Sequence, residues 1–275
     1  MICHRGLRIG NDQPLVLFIG VNVLESEQMA LDHALYLADI CHRLEMPWVF
    51  KASFDKANRT SLASFRGPGI EEGLRILDRI GQETGAPLLT DIHAPEQAAP
   101  VAEVCDIIQI PAFLCRQTDL IHAAASTQAI IHIKKAQFLA AEDMQYVVEK
   151  CLESDADRIM LCERGTQFGY HNLVVDMLGF ELMKQTGCPV SFDVTHSLQL
   201  PGAADGRASG RRQAVLKLAM AGISQGLAAL FVECHKDPDQ ALCDGPCALP
   251  LADVASFLER VRDLDRIVKA MSGAP

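Results

Sequence analysis

The sequence predicts an α/β protein that folds as a (β/α)8 (TIM) barrel preceded by a short N-terminal β-hairpin. Three observations support this prediction. The chain has 275 residues, apolar runs alternate with amphipathic segments along its whole length, and polar residues follow the apolar runs. Barrels of this class usually have about 250 residues. Because no Pro-, Gly- or Ser-rich linker divides the chain, residues 1–275 are expected to form a single barrel domain.

The elements follow from the spacing of the apolar residues. Residues 2–13 are expected to form the hairpin, and the strands are expected at 15–20, 46–50, 87–90, 104–110, 129–133, 158–162, 189–194 and 228–233. Helical periodicity is found at 25–44, 70–84, 95–103, 118–126, 140–153, 172–186, 211–226 and 251–270. The same alternation is typical of a doubly wound open sheet, which is the alternative.

Polar residues stand at the carboxyl ends of the predicted strands. In chain order they are Asn22 and Glu25, Lys51, Asp91 and His93, Gln109, Lys134 and Lys135, Glu163 and Arg164, Asp193 and His196, and Glu233 and His235. In a parallel barrel the carboxyl ends of all strands meet on one face, where the following loops build the active site. We therefore expect a site on that face.

The loop at 51–69, KASFDKANRTSLASFRGPG, indicates what this site binds. Its lysines and arginines stand among hydroxyl and amide side chains, although the chain as a whole carries a net charge of -10. Together with Lys134 and Arg164, they would place several positive charges in one mouth, so the ligand should carry more than one negative charge. Phosphorylated compounds fit this requirement. A solvated connection is the alternative for the loop alone.

Composition excludes several other classes. The net charge of -10 and the pI near 5.3 argue against nucleic acid as the main partner. The N-terminus has no apolar run of signal-peptide length, and polar residues interrupt the apolar stretch 216–232, so no membrane span is expected.

The cysteines indicate a reducing compartment. Ten of them are scattered along the chain, several within apolar runs, so we expect reduced, mostly buried thiols and a cytoplasmic location. Cys243 and Cys247 have the spacing of half a zinc site, but no second pair matches them, and a structural role is expected.

Longer motifs carry a family resemblance. They are NVLES at 22–26, FKASFDKANR at 50–59, FRGPG at 65–69, QIPAFLCRQTDL at 109–120, IKKAQF at 133–138, LCERG at 161–165, FGYHNLVVDMLG at 168–179, FDVTHSLQ at 192–199 and CDGPCALPL at 243–251. With these motifs the chain resembles the 3-deoxy-D-manno-octulosonate 8-phosphate synthases from about residue 15 to 270. The resemblance implies condensation of phosphoenolpyruvate with D-arabinose 5-phosphate and water, with release of phosphate, in lipopolysaccharide sugar biosynthesis.

The resemblance also implies residue roles. Catalytic roles are implied for Asn22, Lys56, His196, Glu233 and Asp244. Lys56, Lys134, Arg164 and Gln109, with the Ala112–Phe113 backbone, would hold phosphoenolpyruvate, and Lys51 would lie beside them. Asn58, Arg59 and Thr60 would hold the sugar phosphate, and Arg116 would reach the sugar phosphate of a neighbouring subunit in a homotetramer. Residues 200–212 would form a mobile cover.

No cofactor and no metal are expected. The family has metal-dependent members, in which a cysteine occupies the position of Asn22 beside the counterparts of His196, Glu233 and Asp244. An amide is a poor ligand for zinc-like ions compared with a thiolate, and the CDG sequence at 243–245 is similar to the metal-independent kind.

Some positions depart from the family pattern. Ile19 and Val21 stand where Gly and Met are closer to the usual residues, Thr60 replaces Ser, His132 replaces Asn, and Cys234, Lys236 and the loop 203–212 also differ. Strand alternation is expected to point Ile19 and His132 toward the barrel interior. These departures put the sugar preference and the rate in question and suggest a divergent second copy of the enzyme.

Two other functions stay open. One is the related condensation with erythrose 4-phosphate, although that family would carry Lys-Pro-Arg-Thr at the position of Lys56-Ala57-Asn58-Arg59. The other is a paralogue that binds a sugar phosphate without catalysis, since fold and motif do not prove turnover.

Overall fold

Parallel strands close into an eight-stranded barrel. The structure is a computed structural model that describes residues 1–204 and 207–272. The barrel strands pair in chain order, and the last one pairs in parallel with both the seventh and the first. This closure confirms the barrel prediction, and the doubly wound alternative is wrong.

The strands are, in chain order, β1 (Ile2–His4), β2 (Leu7–Ile9), β3 (Val16–Val23), β4 (Trp48–Ser53), β5 (Leu88–Asp91), β6 (Ile107–Ile110), β7 (Ile130–Lys134), β8 (Ile159–Glu163), β9 (Thr166–Gln167), β10 (Leu173–Val174), β11 (Val190–Asp193), β12 (Gln199–Ala204), β13 (Arg207–Gly210), β14 (Ala229–His235) and β15 (Leu249–Pro250). The barrel consists of β3 to β8, β11 and β14. The α-helices of the described residues are α1 (Glu27–Arg43), α2 (Ile70–Thr84), α3 (Ala98–Val104), α4 (Thr118–Ala125), α5 (Met144–Leu152), α6 (Gly179–Lys184), α7 (Val215–Ile223) and α8 (Val254–Ser272).

Two apolar layers follow from the alternation of side chains along the strands. One cluster fills the barrel and includes Val16, Phe18 and Phe231. The larger cluster lies between the strands and the helices and includes Leu17 and Ile19. The expectation that Ile19 points inward is therefore wrong, because it alternates with Phe18. His132, which is fully buried and contacts the ring of Phe18, does point inward as expected.

Local signals explain where the first two helices begin and end. Ser26 caps α1, and its hydroxyl accepts a hydrogen bond from the Met29 amide at 3.3 Å. Gly69 and Gly85 flank α2 with positive φ angles of 87° and 68°, a region that favours glycine. The Gly-Pro-Gly segment therefore ends the cationic loop before a helix, as predicted.

The predicted helix at 172–186 is shorter than expected. Only Gly179–Lys184 is α-helical, while Leu173–Val174 pairs with Thr166–Gln167 as a small antiparallel ladder. β-branched Val174 and Val175 favour extended backbone at this point. The apolar residues in this segment therefore lie in a short strand and a loop before the helix begins at Gly179.

The N-terminal hairpin closes the end of the barrel opposite the loops that carry the cationic residues. Ile2 and Ile9 pack into the interior cluster, and Nε2 of His4 lies 2.6 Å from Oδ1 of Asp106. The other oxygen of Asp106 accepts from the Leu88 amide at 2.8 Å. The hairpin thus buries apolar side chains while a carboxylate ties it to the strand ends.

The loop predicted as a mobile cover lies partly outside the described residues. Its described flanks, β12 and β13, pair antiparallel from Gln199 opposite Gly210 to Ala204 opposite Arg207. Mobility at this place stays a prediction. No helix in the described part of the chain combines the length and the apolar character needed to cross a bilayer.

Candidate active site

The carboxyl ends of the barrel strands surround a cavity of 1210 Å³, called the mouth below. Most of the residues proposed from the sequence line it: Lys51, Lys56, Asn58, Arg59, Thr60, Gln109, Ala112, Phe113, Lys134, Arg164, His196, Glu233 and Asp244. Asn22 lies directly beneath the lining, and Arg116 lies outside it. The convergence predicted from the strand ends is therefore present.

A buried ion pair forms the floor of the mouth. Nζ of Lys51 donates to Oε1 of Glu233 at 2.5 Å and to the Asn22 carbonyl at 3.0 Å. Burial lowers the pKa of Lys51 to about 8, although Glu233 favours its charged form. Against the effect of burial, His196 and Lys51 lower the pKa of Glu233 to about 2. Glu233 is therefore a carboxylate at neutral pH, and Lys51 is a cation that can give up its proton near neutrality.

Asn22 joins the two acidic residues of the site. Its Nδ2 donates to Oε2 of Glu233 and, at 3.3 Å, to Oδ2 of Asp244. The amide is only 7% exposed. Asn22 thus acts as a donor between two carboxylates, as its neutral amide group requires.

A second buried network holds His196. Nδ1 of His196 lies 2.7 Å from Oδ2 of Asp193, and Nε2 lies 3.4 Å from Oε2 of Glu233. Asp193 also accepts from Nζ of Lys134. Although burial opposes it, His196 and Lys134 lower the pKa of Asp193 well below its usual value. The imidazole ring therefore has a carboxylate at each nitrogen, which suits it to hold and pass a proton.

The Lys134 ammonium also faces an aromatic ring. Its Nζ lies 3.7 Å from the centre of the Phe231 ring, and Nζ of Lys51 lies 5.3 Å from the same centre. Cations are attracted to the face of an aromatic ring at such distances. Phe231 thus lies between the mouth and the apolar barrel interior, with both ammonium groups near its ring.

Lys56 is tied to β5 through a hydroxyl. Its Nζ donates to Oγ of Ser53 at 2.8 Å, and Ser53 in turn donates to Asp91. Nε2 of His93 lies 3.0 Å from the other oxygen of Asp91. Although burial acts in the opposite direction, Asp91 and Glu233 raise the pKa of Lys56 above its usual value. Asp91 therefore orients the Lys56 cation through Ser53.

Two guanidinium groups in the mouth lack an acidic partner. Among residues 1–204 and 207–272, neither Arg59 nor Arg164 has a carboxylate oxygen within 4 Å. Nη2 of Arg164 donates to Oε1 of Gln199 at 2.9 Å, but its buried Nη1 and the buried Nε of Arg59 have no described partner. Buried donors normally have acceptors. These free donors favour an anionic ligand.

The charge balance of the mouth differs from the sequence expectation in one respect. The sequence led us to expect that a ligand would balance the positive charges of the mouth, but Glu233 and Asp193 of the protein itself neutralise Lys51 and Lys134. The charge left for a ligand belongs to Arg59, Arg164 and Lys56.

The outer wall of the mouth is solvent-exposed. Asn58 and Thr60 are exposed on the loop after β4, and Phe113 is 53% exposed on the loop after β6. Arg116 is exposed as well, and its side chain has no described hydrogen bond or ion pair. Within one chain Arg116 does not contribute to the mouth.

Some of the polar residues at the strand ends form hydrogen bonds with the loops and do not line the mouth. Nζ of Lys135 contacts the carbonyls of Ala136 and Leu139 at 3.3 Å, so it turns away from the mouth. Oε1 of Glu163 accepts from the Gly165 amide at 2.6 Å, and burial raises the pKa of Glu163. Both residues organise the turn that presents Arg164.

Glu25 and His235, two further polar residues at strand ends, lie outside the mouth and contact each other. Nε2 of His235 lies 3.5 Å from Oε1 of Glu25, and that oxygen accepts from the Leu242 amide at 2.9 Å. The Glu25 carboxylate beside the ring raises the pKa of His235. The pair anchors the loop after β14, which carries Asp244.

Sequence reasoning missed three members of the site. Asp193 was noted as a strand end but was given no role, although its position two residues after buried Ser191 on the same strand face signals an inward carboxylate. Gln199, the partner of Arg164, gave no signal. Cys243 was expected to be structural, yet it lines the mouth, and Nη1 of Arg59 lies 2.5 Å from its sulfur. Burial raises the pKa of this thiol to about 12.

All ten cysteines are free thiols, and nine of them are buried. This agrees with the expectation of reduced cysteines. Among the described residues, no three His, Cys, Asp or Glu side chains are arranged so that they could hold a metal ion together.

Comparison with known proteins places this geometry in a family. Residues 2–270 match the model of the DAHP synthetase I family. The chain belongs to the DAHP synthetase I family. A relative from Marinobacter nauticus is 60% identical over 96% of this chain and 94% of its own length. Relatives from Pseudomonas fluorescens and Acinetobacter baylyi are 59% and 58% identical over 96% of this chain, and over 94% and 92% of their own lengths.

These family members share one name. Each of the three is called 2-dehydro-3-deoxyphosphooctonate aldolase, another name for the synthase that the motifs resemble. The resemblance drawn from the sequence is therefore confirmed.

Proposed function

We propose that this protein is a 3-deoxy-8-phosphooctulonate synthase, which condenses phosphoenolpyruvate with D-arabinose 5-phosphate and water and releases phosphate. The observation that carries the proposal is the meeting, in one mouth, of free guanidinium donors with a His–carboxylate network. The donors of Arg59 and Arg164 suit two phosphorylated substrates. The Asp193–His196–Glu233 network suits proton transfer between them. The name of the relatives points to the same reaction.

Phosphoenolpyruvate is proposed to lie over the floor of the mouth. Arg164, Lys134, Lys56 and Gln109 line that region together with the Ala112–Phe113 backbone. Arg164 offers a planar pair of donors that matches a phosphate or a carboxylate. Lys51 lies deeper and holds Glu233 in place for the reaction.

The sugar phosphate is proposed to bind at the rim. Asn58, Arg59 and Thr60 line the mouth there and provide an amide, a guanidinium and a hydroxyl. The exposed and unpaired side chain of Arg116 suits a role across a subunit contact. We propose a homotetramer in which Arg116 completes the neighbour's site.

The proposed reaction has three bond changes. C3 of phosphoenolpyruvate attacks the aldehyde carbon of the sugar, and the aldehyde oxygen takes a proton. Water adds to C2 and gives up two protons, one to the aldehyde oxygen and one to the departing phosphate, and the C–O bond to phosphate breaks as the ketone forms. Asn22, Asp244 and His196 surround the region where the aldehyde and the water would lie, and His196, with a carboxylate at each nitrogen, is the group proposed to move protons there. Fixed charges of this kind stabilise charge that develops in the transition state.

The site is proposed to work without a metal ion or another cofactor. Both oxygens of Glu233 are engaged, one by the Lys51 ammonium and the other by the Asn22 amide. An ammonium group beside a carboxylate disfavours a cation at the same oxygen. Activity is expected to survive prolonged treatment with a strong chelator. Restoration of lost activity by one divalent ion would contradict this part of the proposal.

The cellular context is proposed on the same basis. Free thiols without disulfides suit a reducing compartment, and we propose a cytoplasmic enzyme that acts as one barrel domain in lipopolysaccharide sugar biosynthesis.

The decisive assay is release of phosphate from phosphoenolpyruvate with arabinose 5-phosphate or erythrose 4-phosphate as co-substrate. The proposal expects release with arabinose 5-phosphate and little with erythrose 4-phosphate. Preference for erythrose 4-phosphate would assign the related condensation, and binding without release would assign a non-catalytic paralogue. The Asn58-Arg59 sequence, which differs from the Lys-Pro-Arg-Thr pattern, favours the first outcome.

A further inference from the structure

His132 lies in the barrel interior, directly beneath the mouth. Its Nδ1 is 3.2 Å from Oε1 of Gln109, and its Nε2 is 2.8 Å from Oγ of Ser191. The ring stacks at 9° on Phe231, with 6.1 Å between ring centres, and Phe18 meets it edge-on. His132 is fully buried and never reaches the mouth itself. It therefore acts only through the residues that it touches.

The ring carries a single proton for these two contacts. Burial, reinforced by Lys134, lowers the pKa of His132 to about 3, so the imidazole is neutral under ordinary conditions. A neutral imidazole has one N–H donor and one acceptor nitrogen. If Nδ1 carries the proton, Nε2 must accept, and the reverse holds as well. Whether Gln109 accepts from the ring or donates to it therefore determines whether Ser191 donates or accepts.

Two hydrogen-bond arrangements satisfy the geometry. In the first, Nδ1–H donates to Oε1 of Gln109, and the Ser191 hydroxyl donates to Nε2. In the second, Nε2–H donates to Ser191, whose hydroxyl donates to the Leu161 carbonyl at 3.1 Å, and the Gln109 amide turns so that its NH2 faces Nδ1. The first arrangement presents an NH2 group to the mouth, whereas the second presents an oxygen.

Two observations favour the first arrangement. The contact between Ser191 and His132 is shorter than that between Ser191 and Leu161, at 2.8 Å against 3.1 Å. The Leu161 carbonyl belongs to a strand ladder between β8 and β11, so it does not depend on the hydroxyl.

We propose that His132 is a positioning residue whose Nδ1–H fixes Oε1 of Gln109 inward, so that the Gln109 NH2 group donates to phosphoenolpyruvate in the mouth. This inference rests on the proposed function for the identity of the anion. Without a fixed donor beneath it, the Gln109 oxygen would turn toward the lysines of the mouth and present an acceptor to an anion. His132 holds the Gln109 amide with its NH2 group toward the mouth before the substrate arrives. The amide then does not have to turn when the substrate binds.

The ring tautomer is measured directly by nitrogen NMR. Protein labelled with 15N-histidine, in the presence of phosphoenolpyruvate, gives separate shifts for protonated and unprotonated ring nitrogens. The chain has nine histidines. The pair of signals that disappears in the His132→Asn variant belongs to the ring of His132. We expect Nδ1 to be protonated and Nε2 to be unprotonated. A protonated Nε2 with an unprotonated Nδ1 would overturn the inference.

A double-mutant cycle tests whether His132 acts through Gln109. His132→Phe keeps a ring but removes both nitrogens, and we expect it to weaken phosphoenolpyruvate binding about tenfold, because a hydrogen bond to a charged group is lost. Gln109→Leu should weaken binding at least as much, and the double variant should bind like Gln109→Leu alone. His132→Asn, whose amide can also donate, should recover part of the loss. Met160→Leu, beside His132 in the barrel, is the packing control and should bind like the wild type.

Additive losses in the cycle would overturn the inference, since they would mean that His132 acts on packing alone. Failure of this inference can be told apart from failure of the proposed function. If wild-type protein binds phosphoenolpyruvate but releases no phosphate with either sugar, the proposed function fails, while the tautomer and the cycle still decide the role of His132.

Discussion

The two ends of the barrel use charged residues in opposite ways. At the hairpin end, the half-buried Asp106 accepts a hydrogen bond from the Leu88 amide and contacts His4 and Arg5, so each of its carboxylate oxygens has a partner within the protein. At the mouth, donors of Arg59 and Arg164 are buried without a described acceptor. Satisfied polar groups stabilise a fold, whereas unsatisfied ones cost stability unless a ligand completes them. The difference indicates that the hairpin end is built for stability and the mouth for binding.

The largest expected effect comes from breaking the buried pair in the floor of the mouth. Lys51→Met leaves Glu233 as a buried carboxylate without its ammonium partner, which typically lowers the free energy of unfolding by about 3–5 kcal/mol. Denaturant unfolding measures this change. The matched double variant Lys51→Met/Glu233→Leu should recover much of the stability without recovering activity. Equal stability of the single and double variants would show that the pair is not coupled.

A change at the hairpin end should affect stability alone. Ile9 is fully buried in the interior cluster, so Ile9→Ala should lower the free energy of unfolding by about 2–4 kcal/mol. Well below its melting temperature, the variant should keep the wild-type turnover and substrate affinities. A loss of substrate affinity in the folded variant would contradict the conclusion that the hairpin end contributes to stability and not to binding.

Acid should destabilise the wild type through His132. The pKa of this residue is about 3 in the folded state, which is below the value of about 6.5 for an unfolded chain. The unfolded state therefore binds the proton first, and stability falls as the pH drops below about 6.5, by up to about 1.4 kcal/mol per pH unit. His132→Asn should flatten this slope between about pH 6.5 and 5, above the range where carboxylates protonate. Parallel slopes for the two proteins would contradict the burial of a neutral imidazole.

The smallest effect is expected at the Glu25–His235 pair beside the loop after β14. Glu25→Gln keeps an oxygen for the Leu242 amide but removes the charge next to His235, so the loss of stability should be at most about 1 kcal/mol. The Michaelis constants should shift more than the turnover number, because the pair positions the loop that carries Asp244. A wild-type kinetic profile would leave the pair with a purely structural role.

The sequence predicted the fold better than the details of the site. Apolar runs and helical spacing mark the strands and helices because burial dictates them, and the error at 172–186 arose where a similar apolar spacing served an irregular segment. Polar strand ends located the mouth, because parallel strands must bring those ends together. The pairing of Lys134 with Asp193, the contact of Arg59 with Cys243, and the outward position of Ile19 depend on strand register and side-chain direction. Spacing along the chain does not encode these features.

The claim that unpaired cations of the mouth bind phosphoenolpyruvate is tested by a calorimetric titration with three proteins. They are the wild type, Arg164→Ala at the mouth and Arg5→Ala at the hairpin end, where Arg5 pairs with Asp106 at 3.3 Å. A hydrogen bond to a charged group contributes about 1.5–3 kcal/mol, so Arg164→Ala should weaken phosphoenolpyruvate binding by about 10- to 150-fold. Arg5→Ala should bind like the wild type. Unchanged affinity in Arg164→Ala, or an equal loss in Arg5→Ala, would contradict the account.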